Sequence, residues 1–306
     1  MPRIAVTHFT DPGCPFAWSA SPALAALRWR YGDQLDWRHV MIGLAEDGAQ
    51  YEARGYTPLW MARSQLRFRR YGMPFSPQPK SRVAGTSRAC RALIAAGWQV
   101  DGREWETLRA LQLLQFTSDR LLDDDAAIAA ALATVPGVDA AAAVAAIDHP
   151  EVLAEYERHR AAARSAGGSP AEAQGKTADT DGTIRFTAPT LVFERDGREL
   201  VAGGFQPLAA YDVLLANLDP SLERREAPED LAELFAAFPE GLVTAEVAQI
   251  LAGNGDPDPE AAEAALLELV ADGRVTRRGV GDDAVWAAPA ERPLHSARGG
   301  RFARAA

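Results

Sequence analysis

Cysteine is scarce: Cys14 and Cys90 are the only two in 306 residues. Two thiols cannot make a disulfide framework, and in a reducing compartment both are expected as free thiols. The five histidines, His8, His39, His149, His159 and His295, stand at no ligand spacing with acidic or cysteine partners, so no metal site is expected. Long apolar runs are missing too. The alanine-dominated stretches at 126–133 and 140–147 are broken by Pro136 and Asp139 and fall short of the roughly 30 Å of hydrocarbon a membrane span must cross, so they read as buried helices. Residues 1–9 run into a strand with no charged leader and apolar segment, which predicts no signal peptide and a cytoplasmic location. Excess positive charge is absent as well. A formal net charge of −10 argues against nucleic acid or acidic lipid as a partner of the whole chain. The local basic segment, Arg63, Arg67, Arg69, Arg70, Lys80 and Arg82, reads as a solvated helix face. No repeat of about 20 to 50 residues occurs, and neither Gly167-Gly168 nor Gly203-Gly204 has phosphate-loop spacing.

What remains is a globular composition, 47% apolar and 24% charged, long enough for two domains. A β-branched run at 4–9 ends in Asp11-Pro12-Gly13, a helical pattern starts at Ser21 and stops at Gly32, and alternation over 35–44 predicts a second strand. A β-α-β unit with parallel strands follows. Residues 49–165 read as an all-helical insertion and 166–182 as a flexible loop, too small and polar to bury surface of its own. Strands at 190–194 and 199–202, joined by Asp196-Gly197, predict an antiparallel hairpin, and a helix over 207–218 closes a core made of 1–48 and 183–220. Beyond a charged connection at 219–228, three short helices and a hairpin over 229–288 resemble a winged-helix domain, with Thr244 as a helix cap. A tail over 289–306 reads as disordered. The fold class is α/β with a small α+β domain appended.

Cys14 lies between the first strand and first helix, where free backbone N–H groups and the helix dipole favour a thiolate. A small buried hydrophobe is the alternative reading of such a cysteine. His8, near the end of the first strand, could support that thiolate, although alternation along the strand could equally aim it elsewhere. Trp60 and Met61 could line a cleft against the insertion, and Cys90 reads as core. Pro189 enters a strand after Ala188, a place where a cis bond fits.

Cys14-Pro15-Phe16-Ala17 early and Ala188-Pro189-Thr190 through Gly204-Phe205-Gln206 late, with a helical insertion between, resemble the DsbA-like branch of the thioredoxin superfamily over roughly 3–218. FrnE-type proteins, 2-hydroxychromene-2-carboxylate isomerase and kappa-class glutathione transferase are relatives within it. The resemblance implies a thioredoxin-like fold with Cys14 as the reactive position and a cis Ala188–Pro189 bond facing it. It further implies that Pro15, Phe16, Ala17, Trp18, Ala188 and Pro189 bind substrate. Ala17 stands where dithiol enzymes carry a resolving cysteine, so Cys14 cannot cycle as an intramolecular dithiol. Three readings stay open. Cys14 works as a monothiol resolved by glutathione or mycothiol, with no tightly bound cofactor and a protein disulfide or small electrophile as substrate. Alternatively, it activates or replaces a cofactor thiol, or the groove is a protein-binding scaffold that has lost its chemistry. The third helix of the last domain carries Glu260, Glu263, Glu268 and Asp272 and no cation, so a protein partner suits that domain better than DNA.

Overall fold

The computed structural model describes residues 3–289; the tail expected beyond Pro289 lies outside the described residues. Strand β1 (Ile4–Thr10) leads through a tight turn into helices α1 (Pro15–Ser19) and α2 (Ser21–Tyr31), then β2 (Leu35–Met41). β1 and β2 are parallel, with His8 opposite His39. The insertion consists of α3 (Gly48–Glu52), α4 (Pro58–Phe68), α5 (Ser87–Gly97), α6 (Glu104–Thr117), α7 (Asp125–Leu132), α8 (Ala140–Ala145) and α9 (Pro150–Ala163). Asp47, Thr57, Asp124 and Asp139 cap four of them by accepting a backbone N–H, which is why helices follow these residues.

Residues 166–182 are not the flexible loop expected from their composition. They form α10 (Pro170–Ala173) and β3 (Thr177–Asp179), which pairs antiparallel with β4 (Ile184–Phe186). Their small side chains suffice because Ala166 and Ala171 enter a core already built by the stacked rings of Phe9 and Phe186, 4.4 Å apart. β5 (Thr190–Arg195) and β6 (Arg198–Ala202) complete a sheet of order β2-β1-β5-β6. The hairpin turns on Asp196 and Gly197, at φ of 52° and 75°, the left-handed pair a two-residue turn needs. α11 (Leu208–Leu218) packs back on this sheet.

The last unit runs α12 (Leu234–Ala237), β7 (Leu242–Val243), α13 (Thr244–Ala252), α14 (Pro259–Ala271), β8 (Thr276–Val280) and β9 (Asp283–Ala287), with sheet order β7-β9-β8. It does not have a core of its own. Leu24, Leu27 and Leu191 share one apolar cluster with Phe238, Val247, Leu266 and Trp286. Helix α2 explains this: its buried residues include Ala23, Leu24, Ala25, Ala26, Leu27, Trp29 and Tyr31, so it is covered on both sides, one by the sheet and one by α13. The boundary at 219–228 therefore divides the chain but not the core. Thr244 is not the cap of α13; Val243 holds that place, while Glu246 accepts the Val243 N–H at 2.8 Å and Thr244 Oγ1 donates to Asp283 at 2.6 Å.

Candidate functional site

The turn after β1 is pinned by Asp11, which is fully buried. Its carboxylate accepts from Gly13 N at 2.8 Å, Leu44 N at 2.9 Å and Thr86 Oγ1 at 3.0 Å, and its carbonyl accepts from Cys14 N at 3.1 Å. Gly13 has no room for a side chain there, since a Cβ would stand 2.4 Å from Thr86 Cγ2. Cys14 then sits at the N-cap of α1, with Pro15 in the first turn.

The Cys14 Sγ donates to the Ala188 carbonyl at 3.2 Å, across 174 residues of chain, and the Ala188–Pro189 bond is cis. Thr190 Oγ1 braces that turn by donating to Thr187 O and accepting from Gly204 N. Its place at a helix start predicted a thiolate, and burial opposes one. Cys14 is only 7% exposed, and burial pushes its thiol up to about 11. The Asp11 charge adds to that rise, while the amides of Ala17 and Phe16 and the Arg185 guanidinium pull the other way and lose. Nor does His8 face it. His8 lies on the other side of the sheet, stacked on Trp105 at 5.6 Å and edge-on to His39 at 5.3 Å, and burial lowers its pKa to about 3. Cys90 is fully buried, its Sγ 3.6 Å from Asp11 Oδ2, and burial and the Asp11 charge hold it protonated.

A cleft of about 510 Å³ opens beside this turn, lined by the start of α1, the insertion and the β3–β4 hairpin. Pro15 and Phe16 form one edge, Phe16 being 45% exposed and edge-on to Phe68 at 4.8 Å. Trp60 and Met61 line it as well, with Tyr56 packed on Trp60 at 4.3 Å. Ala17 and Ala188 are buried beneath it, as is Pro189. Trp18 does not line the cleft. Its indole is fully buried, donates to Pro74 O at 2.9 Å, stacks on Phe116 and carries the Arg109 guanidinium 5.1 Å above the ring, so it belongs to the core. Sequence reasoning missed Asp11, Gln65, Thr86 and Arg185. Each joins the site from a different segment, and only the Asp11-Pro12-Gly13 turn carried a local signal. Arg67 and Arg70 are exposed, as a solvated face requires, and also line the cleft. Among the described residues, no group of three His, Cys, Asp or Glu is placed to hold a metal ion, and no helix is long and apolar enough to cross a membrane.

The model of the DSBA-like thioredoxin domain family matches residues 5–171. No curated protein matches the chain. Among solved structures, a protein from Nitrosomonas europaea assigned as a disulfide isomerase is 15% identical, with 70% of this chain and 97% of that one covered and a TM-score of 0.54. The cytosolic disulfide reductase DsbM from Pseudomonas aeruginosa is 21% identical, with 70% and 99% covered and a TM-score of 0.50. A protein from Streptomyces coelicolor assigned as a DsbA oxidoreductase is 18% identical, with 72% and 91% covered and a TM-score of 0.50. At such identities the likeness is one of fold.

Proposed function

The chain belongs to the DSBA-like thioredoxin domain family, thioredoxin-fold proteins of the DsbA-like oxidoreductase group, and from that premise we propose that it is a monothiol disulfide oxidoreductase acting through Cys14 with a low-molecular-weight thiol. The observation that carries this reading is the Cys14 Sγ held 3.2 Å from the Ala188 carbonyl, buried between Gly13 and Pro15, which line an open cleft, with Ala17 where a second thiol would stand. Cys14 sulfur attacks one sulfur of a disulfide RS–SR′. A Cys14–S–SR bond forms, the S–S bond breaks, and R′S⁻ leaves with the proton Cys14 gives up. A small thiol then attacks the Cys14–S–SR bond and carries R away as a new disulfide, returning Cys14 to the thiol. Glutathione and mycothiol both have the chemistry for that second step.

With the thiol near 11, about one sulfur in 10⁴ is ionised at neutral pH. Turnover is therefore slow at rest and gains about tenfold per pH unit through neutrality. The test is incubation with oxidised glutathione at about pH 8.5, read by intact mass. The expected result is one adduct, absent in Cys14→Ser and removed by reduced glutathione. A buried protonated sulfur also favours the second reading, a protein-binding groove without turnover, and no adduct at any pH leaves that reading alone.

A further inference from the structure

The cleft beside Cys14 holds a buried cation with no acid in contact; the Asp11 and Asp181 charges act on it only from beyond ion-pair distance. Arg185 is 7% exposed, and its assigned hydrogen bonds go to neutral acceptors: Nε donates to Thr180 Oγ1 at 3.3 Å and Nη1 to the Phe186 carbonyl at 3.0 Å. Among the described residues no carboxylate pairs with it; Asp181, next to Thr180, is engaged by Arg164 at 2.6 Å. Burying a guanidinium in this way is costly unless a counter-charge arrives. The same burial lowers the Arg185 pKa, though a guanidinium stays charged at any ordinary pH. A second orphan shares the lining: Gln65 is 8% exposed and its Oε1 has no hydrogen-bond partner. Arg54, Arg67 and Arg70 stand in the same lining, which contains no Asp or Glu, in a chain of net charge −10. Phe16, Tyr56, Trp60 and Phe68 supply apolar wall for a flat or aliphatic body, beside the polar Ser64, Gln115 and Thr180.

We propose that Arg185 is the anchor for the carboxylate of a small organic acid bound in this cleft, its apolar body against Trp60 and Phe68 and a donor of its own on Gln65. This deepens the oxidoreductase reading and rests on it only in taking the cleft as the ligand site. The ligand class is then a carboxylated thiol, disulfide or electrophile. A neutral polyol thiol such as mycothiol leaves Arg185 unmatched, whereas glutathione does not.

The test is isothermal titration calorimetry of the full chain with 2-naphthoate and its uncharged isostere 2-naphthamide. A charge-assisted pair predicts naphthoate tighter by about tenfold or more. Arg185→Gln removes the preference and leaves naphthamide affinity within about twofold, while Arg185→Lys keeps part of it. Equal affinities in the wild type, no saturable binding of naphthoate, or a preference that survives Arg185→Gln overturns the proposal. If Arg185→Gln fails to fold, the wild-type ratio and Arg185→Lys still decide. Competition by S-methylglutathione places a carboxylated thiol on the anchor; no competition places a free apolar acid there, and both keep Arg185 in its role. The naphthoate preference is read by calorimetry and the mixed disulfide by intact mass on separate samples, so failure of Cys14 to form a mixed disulfide leaves this result standing, and loss of the preference leaves the Cys14 result standing.

Discussion

Two buried arginines, Arg109 and Arg185, show what a fold does with charge. Arg109 of α6 meets Glu246 of α13 in a fork of two bonds, 2.5 and 2.7 Å, with side chains 8% and 2% exposed. Ser21 and the Val243 N–H complete the Glu246 shell. Arg185 is buried to the same degree and has no acid. The first is a closed joint between the insertion, α2 and the last unit; the second has its cavity still open. Charge matched inside the chain reads as architecture, and charge left unmatched beside a cleft reads as recognition.

The largest effect comes from making the first arginine resemble the second. Glu246→Ala leaves Arg109 buried and unpaired, frees Ser21, and opens the capping of α13, so about 3–5 kcal/mol of stability should be lost. Urea denaturation read by far-UV circular dichroism measures it. A loss under about 1 kcal/mol would show that the last unit is not coupled to α2 through this pair. The seam has further contacts that make such coupling physical, among them Arg28 on Glu240 at 2.7 Å and Phe75 N on Asp282 at 2.8 Å.

Little of this contrast was legible in the chain, although the fold largely was. β1, β2, the Asp196-Gly197 hairpin and most helices follow from local periodicity and turn chemistry, which act over a few residues. The position of Cys14 before a helix was readable for the same reason. Its protonation was not, because burial is set by Ala188, Asp11 and the packing of the insertion, all distant in sequence. The same holds for Glu246, which reads locally as a first-turn acid, and for Arg185, an ordinary alternation in a short strand. The shared core had a faint signal: α2 is apolar nearly all round, a sign of a helix covered on both sides.

A middle-sized effect tests the third way a buried base can be handled, by discharging it. Both ring nitrogens of His8 lack partners, and its pKa falls to about 3 because burial disfavours the imidazolium. His39 is lowered for the same reason, and His159 to about 4. An unfolded histidine titrates near 6.5, so between that value and about 3 the unfolded chain binds the extra proton and stability falls as pH falls. Each imidazole contributes about 2 kcal/mol to the loss between about pH 7.5 and 5. His8→Phe should lose about 2 kcal/mol less than the wild type across that interval. Identical slopes would mean that His8 is already solvated. Arginine cannot take this route, since its guanidinium stays protonated, and Arg185 is left needing an anion.

The smallest effect on stability comes from the converse change, giving Arg185 a partner of its own. Thr180 is exposed at the end of β3 and accepts from Arg185 Nε at 3.3 Å. In Thr180→Asp the carboxylate lies one bond from the same position and pairs with the guanidinium from the rim. Because the new acid is solvated, the gain in stability should be under about 1 kcal/mol. Binding should change far more: the preference for 2-naphthoate over 2-naphthamide disappears, since the anchor is occupied and the lining has gained a negative charge. Calorimetry and denaturation on the same sample separate the two quantities. Retained naphthoate preference in Thr180→Asp would show that the anion is held by the rim arginines, Arg54, Arg67 and Arg70, and that the buried guanidinium is no more than a misplaced version of Arg109.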